Sequence, residues 1–164
     1  MILRAAKTSL VFGVALYHTM MVWNNLTDHD SNYQFIRHVL MMDSTFPDNS
    51  GMWRAMNSPA WHGVFYWTII AWESATMILC WWGGWRLAKR LKGNAKAFRV
   101  SKSLAIAGLT LSLLLWLVAF LSVGGEWLLM WQSKTWNGQE AAFRMFTVVG
   151  IVLLLLVQPE VEEG

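Results

Sequence analysis

The sequence predicts an all-α integral membrane protein, a four-helix bundle with an ordered extracytoplasmic loop that contains a short amphipathic helix. Three observations carry this. Of the 164 residues, 55% are apolar and only 14% charged, against a usual quarter, and mean hydropathy is +0.37. The apolar residues fall in long blocks separated by short charged stretches. Nothing alternates with the period of barrel strands, and hydrocarbon admits only helices or closed barrels. Such a composition excludes a disordered chain. A single cysteine, Cys80, excludes an internal disulfide and a cysteine-rich metal knuckle.

The spans follow from the gaps between charges. Lys7 to Asp28 leaves twenty uncharged residues, and Arg54 to Arg86 leaves thirty-one with one charge, Glu73. Lys102 to Glu126 leaves twenty-three with none, and a last block from Gln139 to Val157 carries Arg144. About 20 apolar residues cross the hydrocarbon. The expected spans are about 8–25, 59–85, 103–124 and 139–157, within one transmembrane domain covering 1–164. Arg4 and Lys7 before an apolar run imitate a signal peptide, but HTMMVWNN holds no small-x-small cleavage pattern, which favours an uncleaved first span.

Lys and Arg set the orientation. Arg86, Lys89, Arg90, Lys92, Lys96, Arg99 and Lys102 form a basic loop, 86–102, without an acid. The loop 26–58 has four aspartates against two arginines. The positive-inside rule puts the basic loop and both termini in the cytoplasm. Attraction to anionic lipid headgroups explains the basic run better than nucleic-acid binding does. Tryptophans mark the interfaces: Trp81, Trp82 and Trp85 inside, Trp23, Trp61, Trp127 and Trp131 outside. Trp67, Trp72 and Trp116 fall deep enough to pack inside.

The outer loop is patterned. Ser31-Asn32-Tyr33-Gln34 reads as a capping box. Phe35, Ile36, Val39, Leu40 and Met42 then recur at helical spacing, with Arg37 and His38 opposite, predicting an amphipathic helix over 32–42. Thr45 to Gly51 is turn chemistry. Ser58-Pro59 starts the next helix. Left in water, the loop's apolar side chains would form too large a patch. Helix 32–42, Trp53 and the segment Trp127–Gln139 are therefore expected to fold into one cap. Gly124-Gly125 offers a bend before it, and Asn137-Gly138 a tight turn after it.

Three ordered stretches, NNLTDHDSNYQFIRHVLMMDSTFPD, GMWRAM and GGEWLLMWQSKTWNGQEAAFR, resemble the signature stretches of a bacterial family described only as predicted small integral membrane proteins, a domain of unknown function. The similarity covers essentially the whole chain. It implies a four-span inner-membrane protein, and it brings no activity and no functional residue. Asp28-His29-Asp30 departs from the pattern, which has an aromatic and a small residue after the Asp.

The candidate chemistry is sparse. Asp28, Asp30 and Asn32 begin like a calcium loop, but Tyr33 replaces the required glycine and Val39 the closing glutamate. His29 and His38 have no metal-ligand spacing. A bis-histidine haem needs facing imidazoles at one depth, and His18 and His62 differ by roughly 15–20 Å. No metal or cofactor is expected. No Gly-x-Ser-x-Gly or phosphate loop is present, so no catalytic residue is assigned. Intramembrane charge is the best signal. Glu73, Arg144 and His18 lie at about 18, 20 and 15 Å from the inner ends of their helices, and such groups mark a pathway or a pair. Glu73 is expected to contact Arg144 or His18, although Glu140 and Glu126 also compete for Arg144. Ser9-x-x-x-Gly13, Ala71-x-x-x-Ala75 and Gly108-x-x-x-Ser112 would allow close helix approach.

These features predict a non-enzymatic membrane protein acting as an interaction subunit or self-associating oligomer. Its partners are the lipid bilayer and further copies or a larger membrane complex, with no nucleic acid. The outer-surface candidates are Phe35, Trp53, Glu126, Trp127, Trp131 and Trp136. The alternative is a small proton-linked transporter or channel using Glu73, His18 and Arg144, and a third reading is a quinone- or haem-binding redox anchor.

Overall fold

The computed structural model describes residues 1–160, and these form helices, turns and loops, with no strand among them. The helices are α1 (Ile2–Thr27), α2 (His29–Met41), α3 (Pro59–Ala88), α4 (Ala95–Ser101), α5 (Ser103–Leu114) and α6 (Gln139–Val157). Short 3₁₀ turns cover Met52–Arg54 and Met130–Gln132. Three helical stretches are long and apolar enough to cross a membrane: Pro59–Ala88, Ala95–Trp127 and Gln139–Val157. α1 has the length, but Arg4, Lys7, His18, Asn24 and Asn25 dilute its apolar content. The C-terminal residues 161–164, expected in the cytoplasm with the N-terminus, lie outside the described residues.

α1 packs along α3, α3 along α5, and α5 along α6, which also touches α1. Val11, Val14, Ala15 and His18 of α1 are buried, and their spacing of three and four residues puts them on one helix face. They meet Cys80 and Leu87 of α3, Leu109 of α5, and Val149, Val152 and Leu156 of α6 in one apolar core. The α3–α5 contact is held by small residues. A Cβ added at Gly83 would lie 2.6 Å from Ala105 Cα, and one at Gly108 would lie 2.8 Å from Cys80 Sγ. Gly108-x-x-x-Ser112 is thus a contact face. Gly13 is not part of one, since a Cβ there would meet nothing within 4 Å.

α5 stays helical through Gly124-Gly125. It passes directly into a π-helix over Leu115–Trp127, with Leu128 N donating to Val123 O at 2.9 Å and Ser122 Oγ to Leu117 O at 2.8 Å. Stretches of this kind are rare and usually a single turn. Both glycines are buried, and a side chain at Gly125 would collide with Gln139 at the start of α6.

One end of the helices, near Thr27, Pro59, Trp127 and Gln139, carries a cap. α2 begins at His29, not Asn32, so Ser31 lies inside the helix and forms no capping box. The helix ends at Met42, whose left-handed φ of 53° is held by burial of its side chain. Leu40, Met42 and Leu128 form a second core with Phe65 and Met56 around it, and Met56 N donates to Leu40 O at 2.8 Å. Ser44 Oγ bonds to Ser133 Oγ at 2.8 Å, and Gln132 Oε1 accepts from Phe46 N at 3.0 Å. The two segments far apart in sequence therefore fold as one unit.

The opposite, basic end is closed by Glu160. Its side chain is 4% exposed and lies 2.7 Å from Lys7 Nζ, 2.6 Å from Lys102 Nζ and 3.4 Å from Arg4 Nε. Lys7 and Lys102 also donate to Gln158 O, each at 2.9 Å. Burial by itself would raise the Glu160 pKa, but the hydrogen bonds from Lys102 and Lys7 outweigh it and hold the carboxyl below its ordinary value.

Candidate functional site: a cavity around Glu73

Glu73 sits on the buried face of α3 that also carries Tyr66 and Ile70, residues related by three- and four-residue steps. It is 1% exposed. Its partner is Asn25, near the end of α1, whose Nδ2 donates to Glu73 Oε2 at 2.6 Å. Tyr66 OH donates to the backbone carbonyl of the same Asn25 at 2.5 Å. One residue of α1 thus receives two groups of α3, and both are fixed by it. Among the described residues, Glu73 has no ion pair, and no hydrogen bond reaches Oε1.

The expected contact of Glu73 with Arg144 or His18 is not formed. Arg144 is two residues beyond buried Ala142 on α6 and five before buried Val149. Those steps rotate it about 200° and 140° from the core face. It is 67% exposed and lies 3.8 Å from Glu140 one turn away. His18 is fully buried, but its Nε2 bonds with Ser112 Oγ of α5 at 2.8 Å, and its Nδ1 has no partner. No hydrogen-bond path among the described residues joins the three.

Glu73 and Asn25 line a cavity of about 290 Å³ that reaches under the cap between α1, α2, α3, the π-helix and α6. Asn24, Asn32 and Tyr66 add polar groups, while Phe35, Trp116 and Phe120 supply aromatic walls. Trp116 and Phe120 pack at 5.0 Å between ring centres, and Phe35 stacks on Phe120 at 6.5 Å. Trp116 is buried, and its indole N–H finds no hydrogen-bond partner among the described residues. Gly138 lets Phe35 close over this space, since a Cβ there would lie 3.0 Å from the Phe35 ring. Trp72 is half-buried and donates to Leu111 O at 3.0 Å. Trp67, expected inside, is mostly exposed, because it follows Tyr66 by one residue and so points off the buried face.

The outer-surface candidates divide by environment. Phe35 and Trp136 are half-buried, with Trp136 stacked on His38 at 4.6 Å. Trp53 is 72% exposed and meets Trp127 edge-on at 5.6 Å. The Arg54 guanidinium lies 4.5 Å above the Trp127 ring, and Arg54 donates to Trp127 O. Trp131 packs on Phe46 at 5.6 Å. Glu126 is exposed and makes no ion pair among the described residues. His38 of α2 pairs with Asp43 at 2.7 Å, and His62 in the first turn of α3 bonds to Met56 O at 2.7 Å. Among the described residues no three His, Cys, Asp or Glu side chains gather as a metal site would require.

At the basic end a second cleft, about 580 Å³, is lined by Arg86, Lys89, Arg90, Asn94 and Lys96. None of its four cations has an ion-pair partner among the described residues. Sequence reasoning missed Asn25 as the partner of Glu73, and nothing in a span's pattern names a neutral partner on another helix. It also missed Glu160, which follows the last span by three residues and meets Lys7 and Lys102.

The family model described as predicted small integral membrane protein (DUF2165) matches residues 3–159, in keeping with three helical stretches of spanning length. The chain belongs to that family. It is an integral membrane protein with several transmembrane helices. No curated protein and no solved structure matches the chain at a significant level.

Proposed function

We propose that this family member is a four-span protein of the bacterial inner membrane that works by binding rather than catalysis, holding a small ligand in the cavity around Glu73. The observation that carries this reading is the cavity of about 290 Å³, lined by a buried carboxyl whose Oε1 has no hydrogen-bond partner among the described residues. Ionisable residues inside membrane helices are costly and mark functional sites, and small-molecule sites are concave and mostly apolar with few polar groups.

The packing of Val11, Val14 and Ala15 into the common core supports α1 as the first span. The basic loop 86–102 supports a cytoplasmic location for that end and for both termini, with the cap and the cavity mouth outside. The unpaired cations of the basic cleft support anionic lipid headgroups as its neighbours. The transport alternative gains no support from hydrogen bonding, since among the described residues none joins Glu73 to His18 or Arg144, while His18 and His62 bond to Ser112 and Met56.

Protein released from mild detergent into a mass spectrometer is expected to carry a small bound molecule. Ile70→Trp, which fills the cavity, is expected to lose it. The same bound mass in both proteins, or none in either, removes the reading.

A second reading, the interaction subunit or self-associating oligomer, is favoured by the exposed Trp53 on a cap that its neighbours hold in place. Trp53→Ala and Trp131→Ala are then expected to lose an oligomer or partner seen by size-exclusion light scattering, and unchanged mass removes that reading.

A further inference from the structure

We infer that the ligand of the Glu73 cavity is a small organic cation, an amine or quaternary ammonium with an apolar substituent, whose charge is the counter-ion that no described residue supplies. This rests on reading the cavity as a ligand site, and it adds the chemical class.

Glu73 is nearly inaccessible, and its one hydrogen bond comes from a neutral amide, Asn25 Nδ2 at 2.6 Å. A carboxyl withdrawn from water stays ionised only beside a paired charge or a full set of donors, and otherwise takes up a proton. Among the described residues, no lysine, arginine or histidine lies within ion-pairing distance of it. Arg144, the cation that sequence depth assigns to it, is turned outward to Glu140. His18 is committed to Ser112. The site therefore holds a carboxyl that a bound cation would keep ionised, and no described residue supplies that cation.

The walls then select the kind of cation. Phe35, Tyr66, Trp116 and Phe120 line the same space. Aromatic faces attract cations through the ring quadrupole, and clusters of them recognise quaternary ammonium groups. A hard metal ion would instead want six or more oxygen ligands, which aromatic walls do not provide. An anion would face the carboxylate. At about 290 Å³, the space is at the lower end of small-molecule pockets, which suits one substituted ammonium group with a single ring or short chain.

The test is titration calorimetry on the full chain in mild detergent, with empty micelles subtracted. The probes are benzyltrimethylammonium and neopentylbenzene, in which carbon replaces the charged nitrogen at the same shape. The ammonium compound is expected to bind saturably and at least tenfold more tightly than the neutral one. Glu73→Gln is expected to weaken the ammonium compound at least tenfold and leave the neutral one unchanged. Equal binding of both, insensitive to Glu73→Gln, overturns the cationic class while leaving a ligand cavity. Saturable binding of neither compound overturns the class and the cavity reading together. Should Glu73→Gln fail to fold, Phe120→Leu serves instead. It is expected to weaken the ammonium compound several-fold more than the neutral isostere, and an equal loss for both overturns the inference.

Discussion

The side-chain amide of Asn25 donates to the Glu73 carboxylate across 2.6 Å, and so ties the cap end of α1 to the middle of α3. Removing the amide leaves a buried acceptor unsatisfied, which costs about 1–3 kcal/mol. Asn25→Leu is expected to lower thermal stability in detergent by that order, and Glu73→Gln in the same background to restore part of it. A double-mutant cycle reads the coupling, and strictly additive effects would refute the pairing. Arg144→Met is expected to change stability by less than about 0.5 kcal/mol, because its exposed partner Glu140 contributes little.

Glu160 links stability to pH. Its folded-state pKa lies below the ordinary 4.5, so the unfolded chain binds its proton first as pH falls. The stabilisation is present above pH 4.5 and is lost as pH drops from there through the lower folded value. Wild-type protein is expected to lose stability over that acidic range more steeply than Glu160→Gln. At neutral pH the variant is expected to be less stable by about 3 kcal/mol, since Lys7 and Lys102 would keep buried charges without their acid. Superimposable melting curves from pH 3 to 7 would show that the latch contributes nothing.

Two glycines in helices should respond in opposite ways. Gly83→Ala forces a methyl into the Ala105 backbone and is expected to cost about 1–3 kcal/mol. Gly13→Ala meets open space and is expected to stabilise by up to about 1 kcal/mol through helix propensity. Thermal melts of the two variants side by side check this, and a tolerated Gly83→Ala would mean that α3 and α5 are not in close contact.

The cap separates folding from surface. Leu128 is buried with Leu40 and Met42, and Leu128→Ala is expected to cost about 2–5 kcal/mol. Trp53→Ala, at a mostly exposed site, is expected to cost the fold under about 1 kcal/mol. Limited proteolysis within 43–56 is the readout. Cleavage should accelerate in the first variant and stay unchanged in the second, and the reverse order would dismantle the cap as described.

Membrane insertion and the all-helical class were legible in the sequence, because transfer of apolar residues and helix periodicity are local properties. The same holds for the helix starts at Pro59 and Gln139, where Ser58-Pro59 and Asn137-Gly138 supply turn and N1 chemistry. The joining of loop 24–60 to 127–139 was also predictable, since so many apolar side chains could not stay in water. The start of α2 at His29, the π-helix over Leu115–Trp127, the outward turn of Arg144 and the closure of Glu160 over Lys7 and Lys102 were decided only by tertiary structure. Depth along a span can be counted from its ends, but the direction of a side chain changes by about 100° with each residue. That rotation is set by how neighbouring helices pack, and it gave Glu73 the neutral Asn25 as its partner in place of a cation at similar depth.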